Sequence, residues 1–225
     1  MSTNTQDVSL DTESRLRITE IFYSLQGESS FVGLPTVFIR LTGCPLRCGY
    51  CDTAYAFSGG EWIQVSDILQ QIKQYNATTV CVTGGEPLAQ RSCGDLLTQL
   101  CDEGYRVSLE TSGSLDISQV DSRVSRIMDI KTPASGEESK NKYENIQYLT
   151  QNDEVKFVLC NRHDYNWAKE VLNKYQLLNK TQVLFSPVHN GVAPGELADW
   201  IVEDQLNVRF QFQLHKYLWN NEPGR

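Results

Sequence analysis

Three cysteines stand within eight residues, Cys44-Pro45-Leu46-Arg47-Cys48-Gly49-Tyr50-Cys51, in the spacing C-x3-C-x2-C. Thiolates are natural ligands for iron–sulfur clusters, and a tight loop can present three of them to one cluster. A four-iron cluster takes four outer ligands, so this loop leaves one iron open. An open iron is a reactive iron, which favours catalysis over electron storage. Cys81, Cys93, Cys101 and Cys160 lie singly, so a zinc site made of two cysteine pairs finds no second pair. Seven cysteines cannot all pair, and thiols this close in a tight loop are badly placed for bridging. Gly43, Pro45 and Gly49 give the loop its turns.

The elements that must carry such a loop read as alternating β and α units. The apolar pattern predicts strands over 36–41, 79–83, 106–110, 126–130, 154–159, 182–185 and 209–214, and helices over 66–75, 88–103, 163–176 and 195–205. In the first helix Ser66 is the expected N-cap, with Ile68, Leu69, Ile72 and Tyr75 on one face. Seven strands with few helices fall short of a closed eightfold barrel, which takes ~250 residues. The expected fold class is therefore α/β, an incomplete, TIM-like βα barrel. Ligands of such sheets gather at the C-terminal strand ends. There stand the cysteine loop, Gly84-Gly85-Glu86-Pro87, Glu110-Thr111-Ser112-Gly113, Asp129-Ile130-Lys131-Thr132-Pro133 and Ser186-Pro187-Val188-His189.

The composition suits one soluble enzyme domain: 225 residues, 40% hydrophobic, net charge −8. That charge disfavours direct binding to nucleic acid or an anionic membrane. The N-terminus lacks the basic start and apolar run of a signal peptide, and no stretch approaches the ~20 apolar residues of a membrane span. Unpaired cysteines without an export signal point to the cytoplasm. Residues 1–16 are expected to form a flexible tail and 17–225 a single domain. Cys81 and Cys160 fit buried strand positions, Cys93 and Cys101 fall on a helix without an assigned role, and His163 belongs in a helix's opening turn.

Cys44-x3-Cys48-x2-Cys51 combined with Gly84-Gly85-Glu86-Pro87 resembles the radical S-adenosylmethionine superfamily. Flanking motifs narrow the resemblance: Phe22-Tyr23-Ser24-Leu25-Gln26-Gly27-Glu28, Phe38-Ile39-Arg40-Leu41-Thr42-Gly43-Cys44, Cys51-Asp52-Thr53 and Gln213-Leu214-His215-Lys216-Tyr217-Leu218. From about residue 17 to 218 the chain is similar to the 7-carboxy-7-deazaguanine synthase family. That resemblance implies a lyase converting 6-carboxy-5,6,7,8-tetrahydropterin to 7-carboxy-7-deazaguanine, with loss of ammonia, for queuosine biosynthesis. It implies one [4Fe-4S] cluster on Cys44, Cys48 and Cys51, S-adenosyl-L-methionine on the open iron, and Mg²⁺ on Thr53. It further implies an electron donor such as flavodoxin or ferredoxin, and a homodimer.

The substrate is a flat polar heterocycle bearing a carboxylate. Arg40, in the apolar strand Val37-Phe38-Ile39-Arg40-Leu41, has the planar fork to clamp that carboxylate. Gln26 and Glu28 can read a donor and acceptor edge. The resemblance adds Leu25, Gly27, Thr111 and His215 as substrate contacts. For S-adenosylmethionine it implies Gly85 and Glu86, with the carboxylate receiving the ammonium, then Gly113, Asp129, Ile130, Lys131, Ser186, Pro187, Val188 and His189. Some relatives carry Ser-Pro-Lys where this chain has Asp129-Ile130-Lys131, and Tyr50 stands where many have tryptophan. Without the resemblance, Thr53 reads as a helix cap. A glycyl-radical activase with the same cysteine spacing is the alternative enzyme, and an electron carrier or zinc module the non-enzymatic one.

Overall fold

Along the parallel strands, residues alternate between an apolar outer face and a polar inner one, and this alternation makes a hollow barrel. The computed structural model describes residues 14–189, 191–220, 222 and 224. Its strands are β1 (Arg15–Leu25), β2 (Pro35–Leu41), β3 (Glu61–Gln64), β4 (Thr79–Gly84), β5 (Arg106–Thr111), β6 (Ser125–Asp129), β7 (Glu154–Leu159), β8 (Gln182–Pro187) and β9 (Arg209–Phe210). Helices α1 (Val65–Ile72), α2 (Cys93–Asp102), α3 (Arg162–Tyr175), α4 (Pro194–Glu203) and α5 (Leu214–Trp219) are interleaved with them. One sheet runs in the order β3-β1-β2-β4-β5-β6-β7-β8-β9. β1 is antiparallel to β2 and β3, and every pairing from β2 to β9 is parallel.

On β2, Val37, Ile39 and Leu41 join the outer core while Phe38 and Arg40 face the lumen. On β7, Val155, Phe157 and Leu159 face out, and Lys156 and Val158 face in. The helices cover the outer face: α1 buries Val65, Ile68, Leu69 and Ile72, a helical spacing, against the sheet. Each such side chain contributes about 1.5–3 kcal/mol on burial. Stability therefore sits outside the barrel, leaving the lumen free for polar groups.

Among the described residues no strand pairing joins β9 to the opposite edge. The loop between β1 and β2 reaches across to the later strands with side-chain hydrogen bonds. Ser30 donates its N–H to Glu154 Oε1 at 2.9 Å and its hydroxyl to Gln182 Oε1 at 2.7 Å. Ser29 N–H reaches Gln211 Oε1 at 2.8 Å, and the Arg106 guanidinium lies 4.1 Å over the buried Phe31 ring. These contacts tie the loop to the starts of β5, β7 and β8 and to Gln211 just after β9.

Several expectations change. Leu16 is fully buried in β1, so the last two residues of the expected tail belong to the sheet, and residues 1–13 lie outside the described residues. Ser66 is not the N-cap: β3 runs straight into α1, and Gln64 occupies that position without a side-chain cap bond. The helix expected over 88–103 breaks into a 3-10 turn, Pro87–Ala89, and α2. The expected strand over 209–214 stops at Phe210, because Leu214 N–H bonds to Gly27 O at 3.0 Å and opens α5. Cys81 is buried as expected, but Cys160 lies beyond the end of β7 and is only half-buried. His163 does fall in the first turn of α3.

Candidate active site

Cys44, Cys48 and Cys51 are unpaired, half-buried, and line one cavity of about 620 Å³ at the C-terminal mouth of the barrel. That volume suits a small ligand with a cofactor beside it. The loop is tied down on both flanks: Gly43 N–H bonds Ala56 O at 2.8 Å and Gly49 N–H bonds Ser135 O at 3.0 Å. Arg47 folds back on the Cys44 and Leu46 carbonyls at 2.7 and 2.6 Å, its guanidinium 4.3 Å over Phe57. Leu46 N–H points at Cys44 Sγ, 3.4 Å away. At Gly85 a β-carbon would sit 2.1 Å from Gly43 O, so only glycine lets this strand end approach the loop.

Burial raises the pKa of both Cys44 and Cys48, while Lys131 pulls them the other way. A bound iron would favour their thiolates. Among the described residues no three Cys, His, Asp or Glu side chains converge tightly enough for a single ion. A cluster would spread its thiolates over separate irons. The residues fit the cluster.

Deeper in the lumen, Lys156 Nζ lies 2.7 Å from Glu28 Oε2 and 3.9 Å from Asp129 Oδ2, and Lys131 lies 2.9 Å from Asp129. Burial opposes the charge of Lys156, but Glu28, Asp129 and Glu110 outweigh it and hold its pKa well above the usual value. Burial likewise works against ionised Glu28, yet Lys156 and a 2.8 Å bond from Gln213 lower its pKa. For Glu110 burial wins and the pKa rises. On the wall, Arg40 Nε bonds Glu20 Oε1 at 2.6 Å, and Tyr55 donates to the same oxygen at 2.8 Å. Glu20 holds the guanidinium by one nitrogen and leaves the other two without a hydrogen bond among the described residues. Thr53, next to Cys51, donates to Asp52 Oδ1 at 3.0 Å and makes no cap bond to the turn after it.

Helix α5 covers this floor. Lys216 and Gln213 reach Asp52 Oδ2 at 2.7 and 3.1 Å. His215 packs so closely on Gly27 that a β-carbon there would lie 2.1 Å from its Nδ1. Burial lowers the His215 pKa and favours the neutral ring.

The cavity brings together most of the expected residues: Leu25 to Glu28, Arg40, Thr53, Thr111 and His215, with Gly85, Asp129, Lys131 and Ser186 to His189. Three of the expected residues sit differently from the rest. The Glu86 carboxylate is fully buried and already accepts from Leu88 N–H, the Thr111 hydroxyl, and the N–H and hydroxyl of Ser112. It braces the strand ends, and the same network engages the Thr111 hydroxyl. Gly113 and Ile130 lie off the cavity, in a small cleft with Met128. Gly113 is needed for its φ of +68°, with Met128 Cγ only 2.8 Å from a would-be β-carbon. Sequence reasoning passed over Lys156 and gave no role to Glu110, Asp52 or Lys216, though these three fall in motifs it singled out. The signal for Lys156 was the one that exposed Arg40: a charge within an apolar strand, Val155-Lys156-Phe157-Val158-Leu159.

An open βα barrel whose first parallel strand delivers three free thiols to a polar lumen defines a radical S-adenosylmethionine domain. The model of the Radical SAM superfamily matches residues 38–201. The 7-carboxy-7-deazaguanine synthase of Chlorobaculum tepidum is 45% identical, covering 94% of this chain and 97% of its own. That of Koribacter versatilis is 42% identical over 92% of this chain and 98% of its own. The chain belongs to the 7-carboxy-7-deazaguanine synthase family. The crystal structure of QueE from Escherichia coli, 24% identical, has the same fold at a TM-score of 0.75, covering 89% of this chain and 95% of that one.

Proposed function

We propose that this chain converts 6-carboxy-5,6,7,8-tetrahydropterin to 7-carboxy-7-deazaguanine with release of ammonia, acting as a carbon–nitrogen lyase in queuosine biosynthesis. One observation carries the reading: a single cavity has three free thiols at its mouth, an arginine on its wall and a charged floor beneath. Cys44, Cys48 and Cys51 would hold the cluster. The Gly84–Gly85 strand end, Asp129, Lys131 and 186–189 would flank S-adenosylmethionine. Together these groups, when bound, supply one-electron cleavage of a sulfonium and hence a carbon radical.

The protein's own contribution is placement and exclusion of water. Arg40 presents its free nitrogens to the substrate carboxylate as a two-pronged donor. The hydroxyl of Thr53 is the proposed Mg²⁺ ligand; the ion would neutralise substrate charge and keep water among its other ligands. His215 on Gly27, with the Lys216–Asp52 pair beside it, closes the floor over the heterocycle. The reading includes a cytoplasmic homodimer served by a flavodoxin- or ferredoxin-like donor; among the described residues no helix is long and apolar enough to cross a membrane. A glycyl-radical activase needs an open docking face. The floor under α5, with its buried charges, favours a small carboxylated substrate instead.

The test is anaerobic incubation of reconstituted protein with the carboxytetrahydropterin, S-adenosylmethionine, Mg²⁺ and a reductant. The expected result is the deazaguanine acid with S-adenosylmethionine regenerated, and no product from Cys48→Ala. Stoichiometric loss of S-adenosylmethionine without that product, or a fully active Cys48→Ala, overturns the reading.

A further inference from the structure

Residues 42–48 form neither strand nor helix, so their peptide groups must find partners elsewhere. Around Cys48 those partners lie in one short segment. The N–H of Arg47, the residue before Cys48, donates to Glu137 Oε1 at 2.6 Å. The N–H of Gly49, the residue after it, donates to Ser135 O at 3.0 Å. Cys48 is therefore held on both sides by residues 135–137, which follow the exit of β6. Cys44 is held differently, by the Arg47 guanidinium on its own carbonyl.

The gripping segment is itself fixed to the barrel. Pro133–Ser135 is a 3-10 turn, and Gly136, at a φ of +76°, closes it with an N–H bond to Pro133 O at 3.1 Å. The Ser135 hydroxyl donates to Thr132 O at 2.6 Å and accepts from Glu137 N–H at 3.1 Å. Below the turn, the fully buried Asp164 of α3 accepts from Ala134 N–H and Cys160 N–H, both at 3.0 Å, and so joins the exits of β6 and β7. Water could satisfy the exposed Arg47 N–H as well as a carboxylate does. What the carboxylate adds is position, through a short charge-assisted bond from a braced residue. Glu138, one residue on, gives the contrast: its carboxylate accepts from Trp167 Nε1 at 3.1 Å and makes no bond to the cysteine loop among the described residues.

We propose that Glu137 is a positioning residue for the iron–sulfur cluster: its carboxylate and the Ser135 carbonyl clamp the peptide groups on either side of Cys48, so that this thiolate keeps its iron. The inference rests on the cluster assigned to Cys44, Cys48 and Cys51, and adds to it a residue far outside the cysteine motif. Asp129 and Lys131, a few residues before the turn, line the cavity. The clamp therefore also fixes the cysteine loop against the strand end that would flank S-adenosylmethionine.

The experiment is anaerobic release of iron from the reconstituted full-length protein to an excess of a coloured iron chelator, beside thermal melts of each apoprotein. Loss of a group that orients a metal ligand typically weakens metal binding roughly 10- to 100-fold. Glu137→Ala is expected to release its iron about 10-fold faster than wild type or more, with the melting temperature of the apoprotein unchanged. Glu137→Gln keeps an oxygen acceptor for the Arg47 N–H and should fall between the two. Glu138→Ala removes a carboxylate from the next residue and should release iron at the wild-type rate. Wild-type retention in Glu137→Ala, release from Glu137→Gln as fast as from Glu137→Ala, or equally fast release from Glu138→Ala overturns the clamp and leaves the cluster standing. Fast release matched by a lower melting temperature of the Glu137→Ala apoprotein overturns it as well. A wild-type protein that takes up no iron overturns both.

Discussion

At the scale of single residues, the lumen separates two kinds of buried carboxylate. Glu28 and Glu110 face the same Lys156, yet one has a lowered pKa and the other a raised one. Proton linkage sets how each affects stability. A raised folded pKa means the unfolded chain ionises first, so stability is complete below the ordinary carboxylate pKa of about 4.3 and declines as pH rises through the folded value. Glu110→Gln should therefore unfold at higher urea than wild type at pH 7, with the gain vanishing below about pH 4. An unchanged midpoint at pH 7 would mean the carboxylate carries no penalty. The cysteine spacing, the glycine-rich strand end and Arg40 were legible in sequence because residue type and neighbours mark them. The orientation of Glu86 was not: whether a carboxylate points to a ligand or to Ser112 depends on contacts 25 and 26 residues away.

At the scale of elements, β1 and β3 escaped notice while the parallel strands did not. A parallel strand packed on the core reads as an apolar run, as in Thr79–Gly84. β1 mixes Arg15, Arg17, Thr19 and Glu20 with its apolar residues because it sits near a sheet edge, and β3 spans four residues. Helix α5 was invisible for another reason: six residues cannot announce a helix, and it forms because Leu214, His215 and Lys216 each find a partner below. Gly27→Ala places a methyl against the His215 ring and should push that ring off the pocket floor. Misplacement of this order can lower turnover by roughly 10²-fold. The melting temperature should barely move, since the ring can swing outward. A variant with wild-type turnover would show that α5 need not sit on Gly27.

At the scale of the whole molecule, alternating β and α units with too few strands to close a barrel predicted an open barrel correctly. The seam did not register, because it depends on side-chain amides and carboxylates far apart in sequence. Stability and chemistry are placed on opposite faces of the sheet. Arg126 and Asp153 illustrate the outer kind: a buried bidentate pair at 2.6 and 2.9 Å that also holds Tyr148 O and Thr150. Asp153→Ala strands a buried guanidinium and should destabilise the protein by about 3–5 kcal/mol. At roughly 2–4 °C per kcal/mol for a chain of this size, the midpoint should fall by at least about 6 °C. Titration with 6-carboxypterin below that midpoint should give wild-type affinity; a weakened affinity would reveal coupling between the two faces.

The loop between β1 and β2 serves as both weld and floor. Ser29 and Ser30 join the ends of the barrel while Gln26, Gly27 and Glu28, a few residues earlier, line the pocket. Attempts to retarget this scaffold by rewriting that segment would trade specificity against folding, because one stretch answers to both demands. Inward strand positions such as Thr83 and Glu110 escape that conflict, and they are where a library for altered heterocycle preference belongs.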